Sequence, residues 1–143
     1  IGTFARGMAM EPLVGGDGWD AEDLKNAGSA LDGSFYCNHY SHEEARPEVQ
    51  EFVKRYQAEY SRIPDGMAAT GYDAAALAID GMKRSASLAG KDLAKVLAET
   101  KDFLGVTGTI TMDPQRNARK PAVMLRMEGG KPHYVVTIYP EEN

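Results

Sequence analysis

Three helical segments follow one another with no strand between them, and that order constrains the fold more than any other feature of the sequence. Pro47 suits the first turn of a helix. Val49, Phe52, Val53, Tyr56 and Tyr60 then recur at three- and four-residue spacing, which predicts an amphipathic helix. Beyond the turn Ile63-Pro64-Asp65-Gly66, the run from Met67 to Ala86 is small and apolar nearly all round, with Ala69, Tyr72, Leu77, Ile79 and Met82 among its residues. Such a helix expects neighbours on most sides. Gly90 begins a third helix, with Leu93, Val96 and Leu97 on its inner face. Helices of this kind pack on a sheet, and these three have no strand of their own to cover. A missing part of the chain, a second copy, or the terminal strands must supply one. The order therefore predicts a piece of a larger α/β protein.

Strands are expected on either side of the helices. Ile1 to Met10 has helix-compatible residues but no start signal, and Pro12 ends it. Leu13-Val14 begins a short strand, after which Gly15, Gly16 and Gly18 bracket Asp17, with Trp19 and Asp20 following. Glycine serves where the chain takes φ > 0 or where another group comes close. A strand that ends in such a loop is where open α/β sheets place their ligands. Asp17 could offer its carboxylate to a cationic group, or bond its own backbone in a turn. Trp19 could wall a ligand or pack beside the loop. Asp20 is a plausible N-cap, with Asp23 and Leu24 behind it and Gly28 ending that short helix. Ser34 to Tyr40 is aromatic-rich and reads as a strand. Late in the chain the period turns to two: Val106 to Met112 is predicted as one strand, Asp113 to Asn117 as a turn, and Ala122 to Met127 with Tyr134 to Tyr139 as a hairpin across Gly129-Gly130.

Composition narrows the function. The chain of 143 residues has the length of one ordinary domain. With 21 acidic residues against 16 Lys and Arg, it lacks the clustered cations that phosphate binding needs, so no nucleic-acid partner is expected. No apolar run approaches the roughly 20 residues of a membrane span. The chain opens at Ile1 without the charged and apolar run expected of a signal peptide, and a trimmed exported protein would look the same. The single cysteine, Cys37, cannot form an internal disulfide. A lone thiol is more often a small buried apolar residue than a nucleophile. Cys37, His39 and His42 make a C-x-H-x-x-H run, but His42 lies past the strand and a fourth ligand is not evident, so neither a metal nor a cofactor is expected. Ser41 stands near His39 and His42 without a nucleophile elbow. Glu43-Glu44 and Glu141-Glu142 read as solvated faces, and no enzyme is expected.

Taken together, these segments resemble the C-terminal portion of the periplasmic branched-chain amino acid binding proteins, the solute receptors of ABC importers. The likeness runs in unbroken order through Pro12 to Asp20, Phe35 to Ser41, Val49 to Tyr60 with Pro64-Asp65, Ala69 to Ala74, Phe103 to Gly108, and Ile110 to Asp113 with the terminal hairpin. It implies an α/β fold of the type I periplasmic-binding class, here a C-terminal fragment of a two-lobed, three-layer architecture. Residues 1–42 and 104–143 would form the C-terminal lobe. The helices of 43–103 would belong to the N-terminal lobe, whose sheet has no counterpart in these residues. Nor has the family's N-terminal segment, which supplies donors for the ligand carboxylate. The resemblance further implies a periplasmic location, a membrane permease as partner, and a small amino acid ligand, branched-chain or otherwise apolar. Asp17 would accept the ligand's ammonium group and Met67 would touch its side chain, with Trp19 and Tyr40 as further contacts; Tyr40, like Tyr72, could instead be structural. A fragment lacking its sheet could also associate with a second copy. A sensor domain reusing the fold is the alternative.

Overall fold

The computed structural model describes residues 12–20 and 26–141. Ten regular elements run in the order β1 (Val14–Gly15), β2 (Phe35–Asn38), α1 (Pro47–Tyr60), α2 (Gly66–Arg84), α3 (Gly90–Ala98), β3 (Phe103–Gly105), β4 (Gly108–Met112), β5 (Ala118–Arg119), β6 (Ala122–Glu128) and β7 (Lys131–Ile138). Single 3-10 turns occupy Asp17–Trp19 and Gly28–Leu31. The expected helical tail at Ile1 to Met10, and the Asp23 and Leu24 positions of the next predicted helix, lie outside the described residues.

Four strands form one sheet in the order β1-β2-β6-β7. β1 runs parallel to β2, with Gly15 opposite Tyr36, so the chain between them crosses over the sheet. Leu31, on that crossover, is buried with Tyr36, Val123, Leu125 and Met127. Tyr36 pairs with Leu125 and Asn38 with Val123 across β2 and β6, which puts all four on one face. The alternation turns Cys37 the other way, and it is exposed rather than buried as its residue type suggested. The hairpin of β6 and β7 turns at Gly129 (φ 58°) and Gly130 (φ 73°). Two successive left-handed residues match the twist of the flanking strands.

The helices form a second core. Pro47 sits at the start of α1, and Val49 and Phe52 are buried on its inner face. They pack with Tyr40, Ala69 and Val106. Asp65 caps α2 by accepting the Ala68 N–H at 2.8 Å. Gly81 lets α3 approach α2 closely: a methyl there would meet Leu97 Cδ2 at 2.6 Å. One stripe of α2 stays uncovered, with Tyr72, Ile79 and Met82 exposed to 46%, 52% and 47%. Among the described residues, no helix is long and apolar enough to cross a membrane.

The predicted strand from Val106 to Met112 is two strands. β3 and β4 pair antiparallel, with Gly105 opposite Gly108, and Val106 and Thr107 make the turn. The cause lies on α2. Buried Asp73 accepts the backbone N–H of Val106 at 2.8 Å and of Thr107 at 2.7 Å, which pins the turn. The resulting sheet β3-β4-β5 is separate from the first and lies with the helices. Val106 is in their core, and the Met112 N–H bonds Thr100 O at 2.9 Å.

The segment between the two cores is polar and tightly bonded. Arg46 donates to Glu44 Oε1 at 2.9 Å and to Val106 O at 2.6 Å. Glu44, far from a solvated face, is buried and also accepts from Thr137 Oγ1 at 3.0 Å. Glu43 accepts the Tyr134 N–H at 2.7 Å. Both acids thus hold the crossing segment against β7.

Candidate ligand site

Asp17 stands just past the C-terminal end of β1, in the 3-10 turn, with 63% of its side chain exposed. Its neighbour across the parallel pair is the residue that follows β2. His39 Nε2 lies 3.1 Å from Asp17 Oδ2, an interaction spanning 22 residues of sequence. Two short parallel strands ending on one side bring these side chains together. Nothing in the local pattern around Asp17 reveals that partner.

Trp19 is half-buried. Its ring lies over Gly15, where a side chain of any kind would collide with the indole, and it meets the Tyr36 ring at a centroid distance of 6.1 Å. These contacts join it to the sheet core, so they fix the loop's path. The glycine at position 15 is explained by close approach rather than by a special φ.

Asp20 bridges the two cores. Its Oδ2 accepts the Gly66 N–H at 2.7 Å, tying the glycine-rich loop to the first residue of α2. A methyl on Gly66 would meet Asp20 Oδ2 at 2.7 Å and Asn38 Oδ1 at 2.8 Å. The carboxylate sits at the positive end of α2, where helix N–H groups favour an anion. The segment that Asp20 is predicted to cap lies outside the described residues; the bond to Gly66 is a contact 46 residues away that no capping pattern signals. Met67 comes next on α2 and is 77% exposed.

Tyr40 is buried in the helical core, edge-on to Phe52 at 6.0 Å. Among the described residues its hydroxyl has no hydrogen-bond partner. Burial, followed by the charges of Asp20 and then Asp65, pushes its phenol well above the ordinary tyrosine value, so it stays protonated. Tyr36 is shifted the same way by burial and Asp20. The cleft between Asp20, Tyr36, Asn38, Tyr40 and Gly66 has a volume of about 40 Å³. That admits water but falls far short of the roughly 300 Å³ at which small-molecule pockets begin. Tyr72 packs on Phe52 at 5.0 Å. Of the residues singled out from sequence, Asp17 and Trp19 lie on the loop and Met67 at the start of α2, while Tyr40 lies in the helical core. His39 and Asp20 are the two participants that sequence reasoning missed. Cys37 faces outward and His39 is engaged with Asp17; among the described residues no group of three or more His, Cys, Asp or Glu side chains converges.

Comparison with known proteins gives a consistent picture. Residues 6–131 match the family model described as periplasmic binding protein. No curated protein sequence matches the chain. Among solved structures, the leucine binding protein LivK of Thermotoga maritima superposes with a TM-score of 0.87 at 28% identity, over 97% of this chain and 41% of that one. The branched-chain amino acid transporter substrate binding protein LivJ of Streptococcus pneumoniae, in complex with isoleucine, gives 0.84 at 30% identity, over 97% and 40%. An ABC transporter substrate-binding protein of Desulfitobacterium hafniense, in complex with Leu, gives 0.82 at 25% identity, over 94% and 38%. The chain therefore spans about two fifths of the length of these relatives.

Proposed function

The chain belongs to the periplasmic binding protein family, and from that premise we propose that the complete protein is the extracytoplasmic, periplasmic solute receptor of an ABC importer. Its ligand is a small amino acid, branched-chain or otherwise apolar, held between two lobes. The observation that carries this reading is Asp17: a lone carboxylate at the mouth of a strand, exposed and, among the described residues, with one oxygen open. A zwitterion's ammonium group is the natural partner for it. At about 4 Å such a pair is worth roughly 4 kcal/mol at an effective dielectric of 20, and a closing cleft leaves it less screened. Relatives that hold isoleucine and leucine support the ligand class.

The two cores support two lobes. One holds the β1-β2-β6-β7 sheet, and α1 to α3 belong to the other. The contacts of β3-β4-β5 with the helices favour placing that small sheet with them too. The second crossing would then fall near Lys120 rather than at residue 104. Met67 supplies a flexible apolar contact to an aliphatic side chain, Tyr40 a hydroxyl beneath the loop, and Trp19 the buttress that holds Asp17 in place. Ligand would bind the closed form better than the open one, since equal affinity shifts nothing, and a membrane permease would read the closed form. The function requires no catalytic step and no cofactor, and the sensor-domain alternative draws no separate support from these relatives.

A thermal-shift screen of amino acids on the complete protein tests this. Leucine, isoleucine or valine at a hundredfold excess over Kd should stabilise it by about 2.7 kcal/mol. Isocaproate, which is leucine without its amino group, should stabilise it far less. Equal shifts with the two compounds, or no shift with any amino acid, would remove the reading.

A further inference from the structure

We propose that His39 is a positioning residue for ligand binding: it orients the Asp17 carboxylate so that one oxygen faces the ligand's ammonium group. The inference rests on the reading of Asp17 given above. Trp19 and the turn's own hydrogen bonds fix the backbone path, but they leave the Asp17 carboxylate itself unconfined, because Gly16 and Gly18 have open space on their Cβ sides. Among the described residues, the one side-chain partner of its carboxylate is His39, through Oδ2 at 3.1 Å.

His39 is itself well anchored. It follows β2 directly, and its backbone N–H donates to Oδ1 of Asn38, a buried residue, at 2.8 Å. The imidazole thus projects from a fixed strand end onto an exposed carboxylate. A carboxylate offers about four lone-pair sites on its two oxygens. One N–H from His39 takes one site on Oδ2 and leaves Oδ1 for a cation with three donors. The ligand therefore has no need to displace the histidine. Both side chains remain partly exposed, His39 to 42%, so the restraint is a solvent-screened hydrogen bond and its effect is modest.

The test is calorimetric titration of leucine into the complete protein. His39→Ala should weaken binding about two- to fivefold, the size of an exposed pair. His39→Gln keeps an amide N–H near the same place and should recover most of that loss. In the Asp17→Asn background, His39→Ala should change nothing, because the histidine acts only through the acid. Unchanged or tighter binding by His39→Ala would overturn the proposal, as would a Gln variant as weak as the Ala variant, or a loss that persists without the Asp17 charge. Thermal melts of each variant separate misfolding from these outcomes, since His39→Gln and wild type should melt together. If Asp17→Asn weakens leucine and His39→Ala does not, the histidine inference alone fails. If Asp17→Asn binds as wild type, the reading of Asp17 fails and takes this inference with it.

Discussion

Around the sheet β1-β2-β6-β7, Leu31, Tyr36, Val123, Leu125 and Met127 each keep 5% or less of their surface exposed. Along α2, Tyr72, Ile79 and Met82 keep about half. The first region closes its core with its own residues, and among the described residues its large exposed apolar side chains lie at its edges, at Val14 of β1, at Val135, Val136 and Ile138 of β7, and at Tyr139 just beyond it. The second closes only one side of its helices. A 19-residue helix with apolar residues on most faces is made to lie between two layers, and here one layer is wanting. We propose that the rest of the complete protein supplies the wanting layer, a sheet against the outer stripe of α2.

That contrast can be broken directly. In the complete protein, Leu125→Ala should cost about 3 kcal/mol, as for a large residue removed from a closed core. Ile79→Ala should cost about 2 kcal/mol there, even though the side chain is half exposed in this chain, because the proposed layer would bury it. Urea denaturation of both variants decides the point. A cost for Ile79→Ala within about 0.5 kcal/mol of zero, the ordinary range for surface positions, would mean that the stripe faces water.

An effect the size of the Ile79 one sharpens the boundary between the regions. Asp73→Asn removes the charge that holds the β3–β4 turn and should cost about 2 kcal/mol, since hydrogen bonds to charged groups are the stronger kind. Amide hydrogen exchange should rise at Val106 and Thr107 while β6 and β7 keep their protection. Equal loss of protection in both sheets would contradict the separation of the two cores.

The smallest effect is a gain. Lys120 Nζ is buried with no hydrogen-bond partner among the described residues. Burial, opposed by the Asp73 charge and reinforced by Arg46, holds its pKa below the ordinary lysine value. Lys120→Met should stabilise the protein by about 1 kcal/mol at pH 7. The sign of the pH effect follows from proton counting. Between the folded and unfolded pKa values the unfolded chain binds more protons, so wild-type stability rises with pH across that window. The advantage of methionine should shrink as the pH approaches 10, which thermal melts at several pH values would show. An advantage that grows with pH would contradict it.

Much of this was legible in the sequence, for reasons that particular elements make plain. α1 could be read because its apolar spacing and Pro47 point the same way. The β6–β7 hairpin could be read because period-two patterning brackets two glycines. Both are local signals. What escaped depends on contacts across distance. The split of β3 from β4 is imposed by Asp73, some 33 residues upstream, on a turn made of Val106 and Thr107, neither a usual turn residue. Glu44 looked solvated because its neighbours are polar, yet Arg46 and Thr137 satisfy it in the interior. The candidate site divides the same way. Asp17 stood out through the glycines around it, whereas its pairing with His39 and the bond from Asp20 to Gly66 exist only once parallel strands and the helix N-terminus are brought together.

The most direct test of the receptor account is calorimetric titration of leucine into the complete protein and its Asp17→Asn variant. The account predicts saturable one-to-one binding by the first, and a loss of one to two orders of magnitude in the second, on the scale of a charge-assisted hydrogen bond. Equal affinity in the two proteins would contradict it.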